Sequence, residues 1–311
     1  MPYAHLFGPV PSRRLGRSLG VDIVTAKVCN LNCVYCECGP TTKLTNERWE
    51  WVPPQAVVDE LSEFLRRSPV LDVVTITGSG EPTLNTGLRA IISFVKEKFP
   101  NYKTALLTNG TLLHLDDVRR AAALFDFVLP SLDAVSAGVF AKVNRPHRGL
   151  DNVRIIEGIA QFAREYRGRL WLEVFIVPGV NDTPAELSLL KEAILAIRPG
   201  RVQLNTLDRP GASASVRPAT GRELLDIADF LRPAPVEIIS RSYTAAASAS
   251  GDAVFESSVL AMLRRRPCTV EDIAVASGRA INDVSEILPL LLAGGTVSTE
   301  AVLGRVFYKI K

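Results

Sequence analysis

No apolar stretch in this sequence reaches the ~18 uninterrupted residues that would cross a bilayer, so no membrane-spanning helix is expected. Nor is there a run of five or six like charges. The 36 Lys and Arg against 33 Asp and Glu leave a formal net charge of +3, scattered along the chain. That excludes a polybasic tail or lipid-binding tract, and no charge pattern marks a nucleic-acid partner. The opening MPYAHLFGPVPSRRLG has Pro and Arg where a signal peptide needs an unbroken apolar region, so a cytoplasmic protein is expected. Cysteine is scarce as well. Of five, Cys29, Cys33, Cys36 and Cys38 crowd into one ten-residue stretch and Cys268 lies far away, a spacing of metal or redox chemistry and not of a disulfide scaffold.

What is present is enough for a large core. The 311 residues, 47% hydrophobic and 22% charged, allow roughly two domains and exclude disorder, a coiled coil and a collagen-like fibre. Apolar runs of strand length alternate with amphipathic helical stretches. Strands are expected at 20–25, 72–77, 103–108, 126–132, 170–177 and 201–206. Between them Val57, Val58, Leu61, Phe64 and Leu65 form one helical stripe, Leu88, Ile91, Ile92 and Val95 a second, and Val153, Ile156, Ile159 and Phe162 a third. Pro53-Pro54 opens the first helix, and Thr183-Pro184-Ala185-Glu186 reads as a capped start with Glu186 placed for a capping box.

Repeated βα units with buried parallel strands give an α/β fold, either an open doubly wound sheet or a full or partial barrel. The polar motifs TGSGEPT, TNG, SLDA, PGVND and NTLD each follow an apolar strand. A barrel would gather those loops over one mouth, so a partial (β/α)6 TIM-like barrel is favoured. We expect it over residues 20–240, after a lead-in at 1–19. The small, polar segment 241–253 reads as a linker.

Residues 254–311 read as helix, helix-turn-helix and β-hairpin, a small C-terminal winged-helix domain. Thr269 and Asp272 cap its second helix, and Ser277-Gly278 makes the turn. Ile281, Val284, Ile287, Leu288, Leu291 and Leu292 are expected to line its core, with Pro289 kinking or ending the third helix. Asp283 and Glu286 on the other side would repel phosphate, which favours a protein-contact or substrate-presenting module over a DNA reader. Arg264 to Arg266, Arg305, Lys309 and Lys311 remain as phosphate contacts, and RNA contact stays open.

The run CNLNCVYC spaces Cys29, Cys33 and Cys36 as C-x3-C-x2-C on a loop after the first strand. Three thiolates on a cubane cluster leave one iron without a protein ligand, and an open iron can chelate a small molecule, which makes the site catalytic. A structural zinc would want a fourth ligand; Cys38 is at hand, but there is no second C-x2-C and no nearby His. With Tyr35 before its last cysteine, the run resembles the radical S-adenosylmethionine (SAM) superfamily. The resemblance implies that Cys29, Cys33 and Cys36 hold a 4Fe-4S cluster whose fourth iron is capped by the amino and carboxylate groups of SAM. It further implies reductive cleavage of SAM to a 5′-deoxyadenosyl radical that abstracts a substrate hydrogen, and an external electron donor of flavodoxin or ferredoxin type.

On the same resemblance, Gly78, Ser79, Gly80, Glu81 and Pro82 stand where the family holds the methionyl amino group, Ser79 departing from the commoner Gly. Ser131 and Asp133 are then cofactor contacts, Asn109 lines the pocket, Val177 and Pro178 pack on adenine, and Arg145 holds a carboxylate. Each has a bland alternative: a turn, a helix cap, a core position or a solvated loop. Asn205, Asp208 and Arg209 are expected at the same mouth, and Cys38 is given no role. The lead-in FGPVPSRRLGRSLGVD resembles a branch related to the wyosine-base-forming tRNA enzymes, although Cys38 and Cys268 are too few for a second cluster. An RNA base and a peptide or protein are both open as substrate. The rival readings are a winged-helix regulator that senses its cluster, and a zinc scaffold on the four clustered cysteines.

Overall fold

The computed structural model describes residues 3–24, 27–239, 252–302 and 304–311. The chain begins with strands β1 (Leu6–Ser12), β2 (Gly16–Asp22), β3 (Val28–Cys29) and β4 (Lys43–Leu44), then α1 (Pro54–Leu65). Next come β5 (Val73–Thr77), α2 (Leu88–Lys98), β6 (Lys103–Thr108), α3 (Asp116–Ala122), β7 (Phe127–Pro130), α4 (Ala137–Val143) and α5 (Asn152–Glu165). The βα series closes with β8 (Arg169–Ile176), α6 (Pro184–Ile197), β9 (Arg201–Thr206), α7 (Gly221–Phe230) and β10 (Val236–Ile238). Three helices, α8 (Asp252–Arg265), α9 (Val270–Ser277) and α10 (Ile281–Ala293), precede the hairpin β11 (Val297–Val302) and β12 (Arg305–Ile310). The expected linker lies outside the described residues except for Asp252 and Ala253, which already belong to α8.

The βα series builds one eight-stranded sheet in the order β1-β2-β5-β6-β7-β8-β9-β10. All its pairs are parallel except β1 with β2. The six expected strands are there, from β2 to β9. The two unforeseen ones are edges. β1 carries Pro9 and Pro11, which an edge strand tolerates because one side needs no ladder N–H. β10 has three residues, too few for an alternation to show.

The helices bury their apolar stripes against this sheet in a core that includes Leu61, Ile76, Ile91, Leu106, Ile159 and Phe162. The third stripe holds at Ile159 and Phe162, which are buried, and at Ile156, which packs against the core; Val153 is instead 62% exposed and Ile155 faces inward. Asn152, next to Val153, is buried, its Nδ2 donating to Ala134 O at 3.1 Å and Val135 O at 2.7 Å. Thr183 caps α6 as expected, but Glu186 does not complete the box. Its carboxylate is buried and accepts from the Val135 and Ser136 N–H groups, fixing the start of α4 instead.

The three C-terminal helices and the hairpin share a separate core that includes Phe255, Val259, Ile273, Val284, Leu288 and Val297. Thr269 and Asp272 form a full capping box, and Gly278 ends α9 in the left-handed conformation. Ile281 is 53% exposed, contrary to expectation, because it is the first residue of α10 and precedes the stripe of Val284, Leu288 and Leu291. Pro289 does not end α10, which runs on to Ala293. This unit rests on the sheet where α9 packs against β1.

Candidate functional site

The cysteine run leaves β3, and the short β3–β4 pairing closes the loop behind it. Backbone bonds pin the loop on two sides. Asn32 N donates to Asn144 O at 2.9 Å and Val34 N to Val143 O at 2.9 Å, while Val34 O accepts from Ser213 N at 2.9 Å. Gly80 lets the backbone after β5 come against β3: a Cβ there would stand 1.8 Å from Val28 O, and the Glu81 N–H donates to that same carbonyl at 3.1 Å.

Each of three thiols has its own nitrogen donor. Asn109 Nδ2 stands 3.8 Å from Cys29 Sγ, Asn144 Nδ2 3.4 Å from Cys33 Sγ, and Lys27 Nζ 3.0 Å from Cys36 Sγ. Cys38 is instead hydrogen-bonded to Cys36, an interaction that lowers the Cys36 pKa and, with burial, raises that of Cys38. That bond, helped by the Lys27 ammonium against the cost of burial, lowers Cys36 to about 5. Burial pushes Cys29 up to about 12, and burial with the nearby Asp133 carboxylate raises Cys33 well above the usual thiol range.

Asp133 is the buried hub beneath Cys33. It accepts from the Tyr35 hydroxyl, from Asn144 Nδ2 at 2.7 Å and from Phe175 N at 2.9 Å, and burial raises its carboxyl to about 6. Tyr35 stacks on Phe175 with ring centroids 3.8 Å apart. Both residues thus tie the cysteine loop to the ends of β7 and β8. Glu81 plays the same part at β5 and β6. It is buried, accepts from Thr83, from Thr108 Oγ1 at 2.6 Å and from Asn109 N at 2.7 Å, and burial raises its carboxyl. Ser79, the departure from glycine, is accommodated by bonds from its N and Oγ to Asp22 Oδ2 at 3.1 and 2.7 Å. Pro82 is buried at the start of a single 3-10 turn.

Some expected residues stand apart. Arg145 is exposed and meets the loop through its backbone carbonyl, which accepts from Asn32 N at 3.2 Å. Its neighbour Asn144, inside the same NRPHR motif, is the residue at the thiols. Val177 is 3% exposed and packs with Val34, Val143 and Phe175. Asn205 is buried, its Oδ1 accepting from Thr206 N at 3.0 Å. Arg209 reaches Asp272 and Pro267 O, the latter at 3.0 Å, in the C-terminal unit and also stands 3.6 Å from Glu37 in the cysteine loop. Asp208 accepts from Arg13 at 3.4 Å.

The donor set fits an iron-sulfur cubane. A cubane spreads its thiolates over three irons, and Cys29, Cys33 and Cys36 present three thiols, each beside its own nitrogen donor. A small cavity beside them is lined by Asn109, Ser131, Asp133 and Asn144, and the buried Asn144 Oδ1 has no hydrogen-bond partner there, an acceptor left for a bound group.

Comparison with known proteins agrees. The family model described as Radical SAM superfamily matches residues 23–190. A UPF0026 protein of Helicobacter pylori is 37% identical over 270 residues, 86% of each chain. A protein named GTPase Obg from Brachyspira hyodysenteriae is 31% identical over 306 residues, which is 98% of this chain but 45% of that one. In fold the chain is similar to the structure of TYW1 with a lysine-pyruvate adduct bound, with a TM-score of 0.52 at 18% identity over 72% of this chain and 75% of that one. Fold and site therefore define an α/β iron-sulfur enzyme. The chain belongs to the radical SAM superfamily, whose members use a 4Fe-4S cluster and SAM. No helix among the described residues is long and apolar enough to cross a membrane.

Proposed function

We propose that Cys29, Cys33 and Cys36 hold the 4Fe-4S cluster and that the protein uses SAM to abstract a hydrogen atom from its substrate. The observation that carries this assignment is the matching of those three thiols, and not Cys38, to three separate nitrogen donors. When bound, the cluster supplies the electron that cleaves the sulfonium of SAM to a 5′-deoxyadenosyl radical. Hydrogen bonds to thiolates take up their charge and tune the potential, which is the part given to Asn109, Asn144 and Lys27. Because Glu81 is occupied within the fold, the ammonium of SAM falls to the backbone carbonyls of Gly78, Ser79 and Gly80. Ser131 and Asn144 line a different, smaller cavity, beside Asn109 and Asp133. Asp133 and Tyr35 act as positioning residues that hold the loop.

In this reading strands β2 and β5 to β9 with their helices form a partial (β/α)6 barrel, and α8 to β12 form a winged-helix domain, its helices and hairpin following in that order. The electron comes from an external donor of flavodoxin or ferredoxin type, and the enzyme works in the cytoplasm. The test is 5′-deoxyadenosine, measured by mass spectrometry after anaerobic reconstitution with SAM and a strong reductant, beside a Cys33→Ala control. Product from wild type alone is the expected result. Its absence from a wild type carrying a full cluster would overturn the reading.

A further inference from the structure

A cavity of about 260 Å³ lies between the sheet and the C-terminal unit. One wall holds the β1–β2 hairpin, Asp22, Cys38 and the Gly78–Ser79 turn; the other holds Arg265 and Arg266 at the end of α8. The volume lies just below the ~300 Å³ at which pockets for drug-sized ligands begin, room for a small polar group. Cys38, two residues past Cys36, sets it beside the proposed cofactor site.

The lining is basic, with five arginines to three aspartates. Three of those arginines are engaged within the fold, Arg209 by Asp272, Arg14 by Glu173 and Arg13 by Asp208. Arg265 differs. Its nearest carboxylate oxygen, Asp22 Oδ2, stands 3.9 Å away, beyond hydrogen-bond reach, and already accepts from Ser79. Its Nη1 is buried with no hydrogen-bond partner among the described residues, and its Nη2 reaches Ala4 O at 3.5 Å. A charged donor left in that state is costly, and burial lowers the pKa of Arg265.

Stacking holds it there. The guanidinium carbon of Arg265 lies 4.2 Å from the centroid of the Phe7 ring. Phe7 in turn occupies the space of an absent side chain: a Cβ on Gly20 would stand 2.1 Å from the ring tip. Gly20, Phe7 and Arg265 thus form one stack that keeps donors at the cavity. Arg266, exposed at its rim, makes no side-chain hydrogen bond or ion pair among the described residues, and its charge reaches the Cys38 thiol.

We propose that this cavity binds the phosphate group of a small phosphorylated substrate through Arg265 and Arg266. That the ligand is the substrate rests on the function proposed above. Two adjacent guanidinium groups suit a doubly charged group with several oxygens, and their planar forks match phosphate.

The probe is inorganic pyrophosphate, followed by calorimetry on the anaerobically reconstituted 311-residue protein, with succinate at equal ionic strength as the carboxylate control. Arg264→Gln serves as a neighbouring control, since Arg264 is exposed and does not line the cavity. Pyrophosphate is expected to bind saturably to wild type and Arg264→Gln, about tenfold more weakly to Arg266→Gln, and not to Arg265→Met. Succinate should bind at least about tenfold more weakly than pyrophosphate. If circular dichroism shows Arg265→Met to be unfolded, Arg266→Gln carries the test. Absence of saturable binding, equal affinity in Arg266→Gln, or succinate as tight as pyrophosphate would overturn the proposal. The two readings fail separately. Deoxyadenosine formation without pyrophosphate binding sinks the cavity alone, and pyrophosphate binding without deoxyadenosine sinks its role as substrate site.

Discussion

Asn144 couples Cys33 to Asp133: one amide nitrogen stands 3.4 Å from the sulfur and 2.7 Å from the carboxylate. Replacing it with Leu removes the donor from Cys33 and one of the hydrogen bonds that offset the burial of Asp133. Residues that support metal ligands in this way typically alter affinity by about 10–100-fold. Asn144→Leu should therefore lose most of its iron and sulfide on anaerobic gel filtration, while Asn109→Leu, with a 3.8 Å contact, loses less. Full retention by Asn144→Leu would reduce the amide to packing.

Serine at Cys29, Cys33 or Cys36 should each abolish the cluster and 5′-deoxyadenosine formation, and Cys38→Ser should retain both. Cys38 is hydrogen-bonded to Cys36 and, among the described residues, has no nitrogen donor of the kind the other three have. Iron analysis of the four variants decides this. Loss of iron from Cys38→Ser would make it a fourth ligand and return the zinc scaffold to consideration.

Arg209 is 8% exposed and reaches the buried Asp272 as well as Glu37, 3.6 Å away in the cysteine loop. It therefore ties the C-terminal unit to that loop. Removing one partner of a buried pair leaves the other charge uncompensated, at a cost of about 3–5 kcal/mol. Arg209→Met should show that loss in urea unfolding, with earlier proteolysis of the C-terminal unit. The double variant Arg209→Met, Asp272→Leu should recover part of it.

The acid limb of stability should carry a signature of Glu223. Its bonds with Arg217 and Thr220 hold its carboxyl at about 2, below the ordinary carboxylate value. A depressed carboxyl stabilises the folded state above its unfolded pKa, and that contribution is lost as pH falls through the folded one. Wild type should lose it between about pH 4.5 and pH 2, and Glu223→Gln should show a shallower fall over the same window. Because the pair is exposed, the effect should also shrink with added salt. Identical acid limbs would show that the capping box works without the charge.

Much of the sheet was legible because buried parallel strands are short apolar runs and their helices repeat with the helical period. What escaped lacked that signature: β1 with its prolines and the three-residue β10. The third helical stripe missed only at Val153, next to Asn152, a polar residue that is buried through its bonds to Ala134 and Val135. In the site, the NRPHR motif drew attention to Arg145 for its charge, whereas the burial of the segment brings Asn144 to the thiols.

The sequence by itself determined the chemistry class. Three cysteines at C-x3-C-x2-C sit on one local loop, so their spacing survives whatever the rest of the chain does. Only the tertiary structure decided which groups surround them. Lys27, Asn109 and Asn144 lie 9, 80 and 111 residues from their sulfurs, and Arg265 reaches Ala4 across 261 residues. The hydrogen bonds and charge contacts of such groups depend on ångström distances that sheet order and domain docking set, and no local pattern encodes them.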